Sequence, residues 1–229
     1  MTAPIRSAHG ITLLGAGELA PGALAQAMAR APVLVAADGG GDAALAAGLM
    51  PERVIGDLDS LSAEGRARLA DRIWHVPDQD DTDFDKVLDR VAAPFILALG
   101  FTGGRMDHTL AALSALGRRP DRRAVLWGAE DLAFMIPPRL ELALPAGSRL
   151  SLWPLAPVSV ASRGLVWPTD GLALDPRGRI GTSNAVADGA VRLEPEGPGL
   201  VGLVPVAAVD ALLAGLRAAP AWPEPARAR

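Results

Sequence analysis

Two aspartates one residue apart follow a short apolar run in the segment VIGDLDS. If the chain stays extended there, Asp57 and Asp59 point to one side and Leu58 points into the core, because side chains alternate along a strand. Carboxylates this close repel each other, which raises the pKa of at least one of them unless a cation lies between them. Mg²⁺ prefers hard oxygen ligands, usually one or two carboxylates together with substrate phosphates. The segment therefore predicts either a magnesium site or an aspartate that caps a helix beginning at Ser60 or Ser62.

A second acidic segment, PDQDDTDFDK, has five aspartates in nine residues at the start of a helical pattern. Asp81 or Thr82 can cap this helix, and acids favour its positively polarised N-terminus, but capping accounts for only about two of the five. Lys86, the only lysine of the chain, lies one turn into the helix. It either neutralises phosphate charge or pairs with a neighbouring aspartate. The segment predicts a second group of carboxylates beside a cation.

The third segment, GFTGGRMDHTL, is a glycine-rich turn between a predicted strand and a predicted helix. Gly103 and Gly104 let backbone N–H groups and the helix N-terminus approach an anion, and Arg105 can clamp a phosphate through two hydrogen bonds. The segment is neither a Walker A loop nor a kinase glycine loop. His108 is explained as an ordinary helix residue. Together the three segments predict a Mg²⁺-nucleotide site for phosphoryl-type transfer, in which positioning and charge neutralisation do most of the catalysis.

An earlier glycine-rich segment, GAGELA, suggests a different chemistry. It follows the predicted strand ITLL and matches the dinucleotide-binding fingerprint, and Asp38 lies about twenty residues further on, where an acid binds the ribose. A structural turn explains so short a pattern equally well. Asp38 also begins DGGGD, a second glycine-rich loop that an NAD site does not require. An NAD-dependent oxidoreductase is therefore an alternative prediction.

Composition indicates a globular protein, since 50% of the 229 residues are hydrophobic and 21% are charged. No apolar stretch approaches the roughly 18 residues of a membrane span, and the N-terminus lacks the apolar core of a signal peptide. We therefore expect a cytoplasmic protein with no membrane partner. Thirteen acids against five bases lie between Asp38 and Asp89, a balance of −8, which is the wrong sign for a nucleic-acid groove. With no cysteine, disulfides and thiolate metal sites are excluded.

Apolar runs that alternate with helical patterns predict an α/β fold with a mainly parallel sheet in the first part of the chain. The runs predicted as strands are ITLL, PVLVAAD, RVIGD, IWHV, PFILALG and AVLW. Two of the intervening helical patterns place apolar residues on one face, which we assign to core packing. These residues are Phe84, Val87, Leu88 and Val91 in the first pattern, and Met106, Leu110 and Leu113 in the second.

From about Pro137 the chain changes to short extended runs separated by Gly, Pro, Asn and Asp, which predicts an all-β sandwich or barrel. We predict a catalytic α/β domain over residues 1–136 and a β-sandwich domain over residues 137–229. The second domain closes with a helix over residues 207–218 and a Pro/Ala/Arg tail that we expect to fray.

Several motifs of the sequence, taken together, resemble those of a known family. ADGG, IGDLDS, QDDTDFDK and GFTGGRMDH, in this order and at these intervals, resemble thiamine pyrophosphokinases, and SLWPL, GLVWP and GTSN extend the resemblance over roughly residues 11 to 204. The resemblance implies an N-terminal α/β catalytic domain, a C-terminal β-sandwich, and a homodimer with thiamine sites at the subunit interface. It also implies that ATP donates a diphosphate to the thiamine hydroxyl, which yields thiamine diphosphate and AMP.

By this resemblance, Asp57, Asp59 and Asp83 match the family's Mg²⁺-binding and catalytic positions. The matched nucleotide and substrate positions are Asp38, Gln79, Thr82, Lys86, Gly103, Gly104, Arg105 and Asp107. The implied mechanism is in-line attack of the thiamine hydroxyl on the β-phosphorus, with Mg²⁺ bridging the phosphates and Arg105 stabilising the charge that develops as AMP leaves.

At the thiamine end, Ser183 and Asn184 match a Ser-Asn pair, and Trp167 matches the aromatic residue of a G-L-x-W motif. An indole beside the cationic thiazolium contributes a cation–π contact of roughly 0.5 to 2 kcal/mol, although a structural tryptophan in the sandwich core explains Trp167 equally well. Two positions depart from the family pattern. Ala185 replaces a frequent acid, and Thr169 replaces an apolar residue.

Two further alternatives share parts of this pattern. A diphosphokinase for a pterin-type alcohol uses the same catalytic half, but it gives no reason for GTSN and GLVWP. A non-enzymatic sensor of thiamine or of a nucleotide keeps GTSN and loses acids, whereas this chain has all of them.

Overall fold

A computed structural model describes residues 4–225 and divides the chain into two compact units. The first unit holds the residues up to Ala115 together with Leu126–Ala129. The second unit holds Leu116–Val125 and the residues from Glu130 onward. The chain therefore passes from the first unit to the second, returns briefly, and leaves again.

The first unit alternates strands with helices, as the sequence predicts. Its strands are β1 (Ile5–Arg6), β2 (Ile11–Leu14), β3 (Val33–Ala37), β4 (Arg53–Gly56), β5 (Ile73–His75), β6 (Val91–Ala92) and β7 (Ile96–Leu99). Its helices are α1 (Ala23–Arg30), α2 (Gly40–Ala46), α3 (Ala63–Arg68), α4 (Asp83–Leu88) and α5 (Met106–Arg118), with a 3₁₀ turn at Ala70–Arg72; a further 3₁₀ turn, Pro120–Arg122, belongs to the second unit. Helix α5 and strand β8 (Ala124–Trp127) each contain residues of both units.

Five predicted strands form a parallel sheet in the order β7-β2-β3-β4-β5. Every residue of β2 and β7 is buried, which explains why these strands are continuous apolar runs rather than alternating ones. The chain moves outward from β2 to β5 and then returns to the other side of β2. Since open α/β sheets bind ligands where the strand order reverses, the loops after β2 and β7 mark the expected site.

The core residues predicted for the first pattern, Phe84, Val87, Leu88 and Val91, are all buried, but Val91 lies beyond the end of α4, in β6. The core face predicted for the second pattern is wrong. On α5, the side chains of Met106 and Leu110 are 70% and 56% exposed. This helix instead buries Ala112, Ala115 and Leu116, which lie at i, i+3 and i+4 on a different face.

The second unit contains only antiparallel pairings among its described strands. These strands are β9 (Asp131–Met135), β10 (Leu140–Ala143), β11 (Ser151–Pro154), β12 (Val158–Arg163), β13 (Ala173–Leu174), β14 (Ala190–Pro195) and β15 (Leu200–Pro205), followed by a 3₁₀ turn at Val206–Ala208 and α6 (Val209–Ala218). One set of neighbours runs β11-β15-β9 and the other runs β10-β14-β12-β13. Buried and exposed residues alternate along β10 and β12, as expected for strands with one solvated face.

The division between the units falls before Glu130, earlier than the predicted boundary after residue 136. The physical reason is β9, which pairs with β15 near the end of the chain and so belongs to the antiparallel part. A parallel α/β part followed by an antiparallel β part is the predicted order. Packing of the two antiparallel sheets as a sandwich stays a prediction.

The C-terminal segment is better fixed than the sequence predicted. The closing helix forms as α6, and the indole Nε1 of Trp222 donates a hydrogen bond to the carbonyl oxygen of Ile136 at 2.9 Å. The prediction of a frayed tail is therefore wrong at Trp222, and its last four residues lie outside the described part of the chain. Among the described helices, none has the length and apolar character needed to cross a membrane.

Candidate active site

A cavity of about 660 Å³ lies within the first unit, at the carboxyl ends of the parallel strands. Its volume is within the roughly 300–1,000 Å³ typical of ligand pockets. The residues that line it are Gly15, Ala16, Gly17, Glu18, Ala37, Asp38, Gly39, Asp57, Ser60, Gln79, Asp80, Asp81, Thr82, Asp83, Phe84, Lys86, Gly100, Phe101, Thr102, Gly103, Gly104, Arg105, His108, Ala111 and Ala112. The two acidic segments and the Gly-Gly-Arg turn predicted to form one site therefore all line one cavity.

The GAGELA loop also lines this cavity, which the sequence analysis did not foresee. The backbone N–H of Gly17 donates to the carbonyl oxygen of Gly100 at 3.0 Å, and a Cβ at Gly15 or Gly17 would lie 2.6 or 2.7 Å from that oxygen. These glycines therefore let the loops after β2 and β7 interlock at the point where the strand order reverses. Helix α1 begins only at Ala23, so the glycines do not open a helix as the dinucleotide fingerprint requires. The strand order identifies this loop as part of the site, because β2 lies where that order reverses.

Residues 57–62, which we call the acidic turn, are not extended as predicted. Strand β4 ends before Asp57, and Leu58 adopts a left-handed conformation with φ of 71°. The backbone N–H of Asp59 donates to Oδ1 of Asp57 at 3.3 Å, which closes the turn on itself. The predicted burial of Leu58 is confirmed, since its side chain packs with Leu61, Leu69 and neighbouring core residues.

Helix capping does not explain the acids of this turn. Ser62 is the N-cap of α3, and its Oγ accepts a hydrogen bond from the backbone N–H of Gly65 at 2.9 Å. In the second acidic segment, Thr82 rather than Asp81 caps α4, with its Oγ1 donating to Oδ2 of Asp85 at 2.6 Å and accepting from the N–H of Asp85 at 3.3 Å. The caps are therefore hydroxyl residues in both segments, and the aspartates need another explanation.

Three carboxylates converge at this end of the cavity: Asp38, Asp57 and Asp59 each offer an oxygen within 4.8 Å of the other two. Asp38 follows β3, and the other two follow the adjacent strand β4, so strand pairing brings the acids together. The resemblance had grouped Asp83, rather than Asp38, with Asp57 and Asp59 as metal ligands. A role for Asp83 as a ligand stays a prediction.

Asp38 is the buried member of this trio, with 3% of its surface exposed. Its Oδ2 accepts the backbone N–H of Ser60 at 3.1 Å, but its buried Oδ1 has no hydrogen-bond partner among the described residues. Burial raises the pKa of Asp38, and the neighbouring charge of Asp83 adds to the effect. An unpartnered buried carboxylate oxygen beside two further carboxylates fits a hard divalent cation such as Mg²⁺.

Lys86 is buried and forms ion pairs with two acids, Asp57 and Asp83. Its Nζ lies 3.0 Å from Oδ2 of Asp57 and 3.0 Å from Oδ1 of Asp83, and Gln79 Nε2 donates to Asp57 Oδ2 at 2.9 Å. Burial alone lowers the pKa of Lys86, but the hydrogen bonds to Asp83 and Asp57 outweigh it and raise that pKa. Of the two predicted roles for Lys86, the structure shows the pairing with aspartates.

The two partners of Lys86 respond differently to it. At Asp57, burial raises the pKa, but the hydrogen bonds from Lys86, Asp59 N–H and Gln79 outweigh burial and lower it. At Asp83, burial outweighs the hydrogen bond from Lys86, so its pKa is raised. The surroundings thus favour the ionised form of Asp57 and disfavour that of Asp83.

The Gly-Gly-Arg turn also lines the cavity, through Gly103, Gly104 and Arg105. Gly103 and Gly104 have φ of 82° and 56°, and a Cβ at either would meet nothing within 4 Å, so these glycines serve backbone conformation rather than close packing. Arg105 donates to Asp107 through two hydrogen bonds, Nε to Oδ1 at 3.1 Å and Nη2 to Oδ2 at 2.6 Å. Arg105 lines the cavity while Asp107 is not among its lining residues. The guanidinium thus already holds an anion in the two-bonded geometry that a phosphate requires.

The predicted thiamine residues lie in the second unit and are not among the residues that line the cavity. The amide of Asn184 is buried and bonds to the backbone of Trp167, with Nδ2 donating to its carbonyl at 2.7 Å and Oδ1 accepting its N–H at 3.2 Å. Trp167 itself is 60% exposed, so its interpretation as a sandwich-core tryptophan is wrong. Ser183 is exposed. Thr169 is buried, and its hydroxyl is satisfied by donating to the carbonyl oxygen of Val160 at 2.9 Å.

The comparison with protein families matches a region that lies mostly in the first unit. Residues 24–126 match the family model described as "Thiamin pyrophosphokinase, catalytic domain". This match covers the acidic turn, the second acidic segment and the Gly-Gly-Arg turn. The match ends at residue 126, before β9, the first antiparallel strand of the second unit, begins at Asp131.

Curated relatives and solved structures agree with that match. The chain is 28% identical over 164 residues to thiamine pyrophosphokinase 1 of Oryza sativa subsp. japonica, covering 62% of each chain. It is 29% identical over 161 residues to thiamin pyrophosphokinase 1 of Caenorhabditis elegans, covering 63% of this chain and 66% of the relative. The chain therefore spans less than two thirds of the length of either relative. Among solved structures, thiamin pyrophosphokinase from Candida albicans has a TM-score of 0.73 at 15% identity, covering 89% of this chain and 93% of that one, a likeness of fold.

Proposed function

We propose that this chain is an ATP-dependent diphosphokinase that transfers a diphosphate from ATP to the hydroxyl of thiamine, on the premise that the family model, the curated relatives and the solved structures all indicate the thiamin pyrophosphokinase family. In this reaction the thiamine oxygen forms a bond to the β-phosphorus, the bond between that phosphorus and the α-phosphate oxygen breaks, and AMP leaves. The products are thiamine diphosphate and AMP.

The observation that carries the proposal is the unpartnered, buried Oδ1 of Asp38, a cavity-lining residue that groups with Asp57, which also lines the cavity, and with Asp59. We propose that these three carboxylates, with Asp83, hold Mg²⁺. When bound there, Mg²⁺ neutralises charge on the phosphates of ATP. Leaving a buried carboxylate oxygen without a partner destabilises the protein, so its presence points to a ligand rather than to packing.

Residues of the chain supply the rest of the proposed chemistry. Lys86 holds Asp57 and Asp83 in place through its two ion pairs, which fixes the metal-binding carboxylates before substrate arrives. We propose that one of the aspartates lining the cavity accepts the proton of the thiamine hydroxyl. Arg105 exchanges the carboxylate of Asp107 for a phosphate, since both anions accept the same pair of hydrogen bonds.

The thiamine end of the proposal rests on the second unit. Trp167 presents its indole to solvent, and Asn184 holds the backbone of that residue, so we propose that Trp167 and the exposed Ser183 contact thiamine while Asn184 positions Trp167. We further propose that the two antiparallel sheets pack as a β-sandwich, that the chain acts as a cytoplasmic homodimer, and that each thiamine site lies at the subunit interface.

The test is to incubate the full chain with ATP, Mg²⁺ and thiamine and to quantify AMP and thiamine diphosphate by chromatography. We expect the two products in equal amounts. A pterin-type alcohol in place of thiamine separates this activity from that of a related diphosphokinase. Formation of ADP instead of AMP, or no product with thiamine while the pterin alcohol reacts, would contradict the proposal.

A further inference from the structure

The geometry points to Asp42 as a positioning residue that fixes the acidic turn, a role that rests on the metal site proposed above. Asp42 lies in the first turn of α2 and is not among the described residues that line the cavity. It therefore acts through another residue, Ser62, at the far end of the turn that carries Asp57 and Asp59.

Both carboxylate oxygens of Asp42 are committed to this one residue. Oδ2 accepts the backbone N–H of Ser62 at 2.7 Å, and Oδ1 accepts its hydroxyl at 2.7 Å. The Ser62 hydroxyl oxygen in turn accepts the N–H of Gly65 and caps α3. A Cβ at Gly65 would overlap Oδ1 of Asp42, so a glycine at this helical position is required by the same contact. Asp42 thus locks together the end of the turn and the start of the next helix.

The turn needs such fixing because it contains an unfavourable backbone conformation. Leu58 has φ of 71°, a left-handed conformation that is unfavourable for a residue with a Cβ and persists only where surrounding contacts hold it. Asp38 accepts the N–H of Ser60 in the middle of the turn, and the guanidinium of Arg66 donates to the carbonyl of Leu58. Asp42 supplies the contact at the end of the turn.

Without Asp42, we expect the far end of the turn to move away from α2. Asp59 lies three residues before Ser62, so this motion separates its carboxylate from those of Asp38 and Asp57. Removing a residue that orients metal ligands typically lowers metal affinity 10- to 100-fold. A residue that only stabilised the fold would leave the metal affinity of the folded protein unchanged.

The experiment measures Mn²⁺ binding to the full chain by electron paramagnetic resonance of free Mn²⁺, without nucleotide. We expect Asp42→Ala to raise the dissociation constant about 10-fold and Asp42→Asn to raise it less, because asparagine keeps one acceptor oxygen. The matched control is Glu64→Gln, which removes an exposed acid of α3 whose partner is Arg68. In turnover assays, the Mg²⁺ concentration for half-maximal rate is expected to rise about 10-fold in Asp42→Ala, with kcat at saturating Mg²⁺ changed by less than about 3-fold.

The outcomes separate this inference from the proposed function. If wild type binds Mn²⁺ and Asp57→Asn does not, but Asp42→Ala binds as wild type does, the positioning role is overturned and the metal site stands. If wild type itself does not bind Mn²⁺, the metal site fails and the positioning role fails with it. Circular dichroism checks that each variant is folded; if Asp42→Ala is not, Asp42→Asn and Ser62→Ala make the same comparison.

Discussion

Two buried polar side chains, one in each unit of the molecule, have opposite hydrogen-bonding environments. In the first unit, Asp38 is buried with one carboxylate oxygen unpartnered, next to two further acids. In the second unit, Asn184 is equally buried, but its amide oxygen and nitrogen both bond to the backbone of Trp167. A polar group satisfied within the chain stabilises the fold, whereas one left unsatisfied destabilises it until a ligand binds. The comparison assigns chemistry to the first group and support of the backbone to the second.

The largest expected effect is loss of turnover in Asp57→Asn. This change removes the carboxylate that is most stably ionised, and we expect kcat/KM to fall about 10³-fold or more, because charge neutralisation at the phosphates contributes most of the rate. The assay quantifies AMP released from ATP and thiamine. Asp71→Asn, at an exposed acid on the 3₁₀ turn before β5, is the control and is expected to retain wild-type rates. Near-normal turnover by Asp57→Asn would contradict the metal site.

Lys86→Met is expected to lower the free energy of unfolding by about 3 kcal/mol. The substitution leaves Asp57 and Asp83 without their buried cation, and removal of one partner from a buried pair typically costs about 3–5 kcal/mol, reduced here because Asp83 is partly exposed. Urea unfolding at pH 7 measures the change. Because pairing lowers the pKa of Asp57, its contribution is present above the unfolded pKa of aspartate and is lost as pH falls through the folded value. A difference between variant and wild type that does not shrink at acid pH would argue against this ion pair.

Asn184→Ala tests the second unit and is expected to lower the free energy of unfolding by about 2 kcal/mol, because it leaves the N–H and carbonyl of Trp167 without partners. The neighbouring variant Ser183→Ala, at an exposed position, is expected to change stability by less than about 0.5 kcal/mol. Thermal unfolding of both variants gives the comparison. Equal stability of the two would mean that Asn184 does not support the backbone of Trp167.

Asp38→Asn is expected to change stability less than Lys86→Met or Asn184→Ala does, and with the opposite sign. Asp38→Asn removes an ionised carboxylate from a buried site and is expected to stabilise the metal-free protein by about 1 kcal/mol at pH 7 while it abolishes turnover. Burial raises the pKa of Asp38, so wild type is destabilised while this group is ionised, and protonation removes the penalty. The gain in the variant is therefore expected to disappear as pH falls below the unfolded pKa of aspartate. Destabilisation at pH 7 would show that Asp38 serves the fold rather than a ligand.

Local features of the fold could be predicted from sequence because they depend on neighbouring residues. The apolar runs of β2 and β7 identify buried strands, and Thr82 was one of the two residues predicted to cap α4. For α3 the sequence predicted an aspartate cap, whereas the cap is Ser62. Periodicity failed where packing partners decide burial. Met106 and Leu110 have helical spacing, yet α5 buries Ala112, Ala115 and Leu116 instead.

The candidate site was predicted as a set of segments but not as an arrangement. The sequence indicated that the acids of two segments and the Gly-Gly-Arg turn serve one site, and all three segments do line one cavity. It did not indicate that Asp38 joins Asp57 and Asp59, because that grouping depends on β3 lying beside β4. It interpreted GAGELA as a dinucleotide fingerprint or a structural turn and did not place it in this site, because its position depends on β2 lying beside β7.

The sequence by itself determined which chemical groups are present and which local turns carry them: paired carboxylates, one lysine, and glycines at left-handed positions. Only the tertiary structure decided which carboxylate pairs with Lys86, which one is buried without a partner, and that Leu58 bends the acidic turn. The physical reason is that charge, hydrogen-bonding capacity and backbone preference belong to a residue and its neighbours. Desolvation and distance between carboxylates arise only when strands far apart in sequence lie side by side.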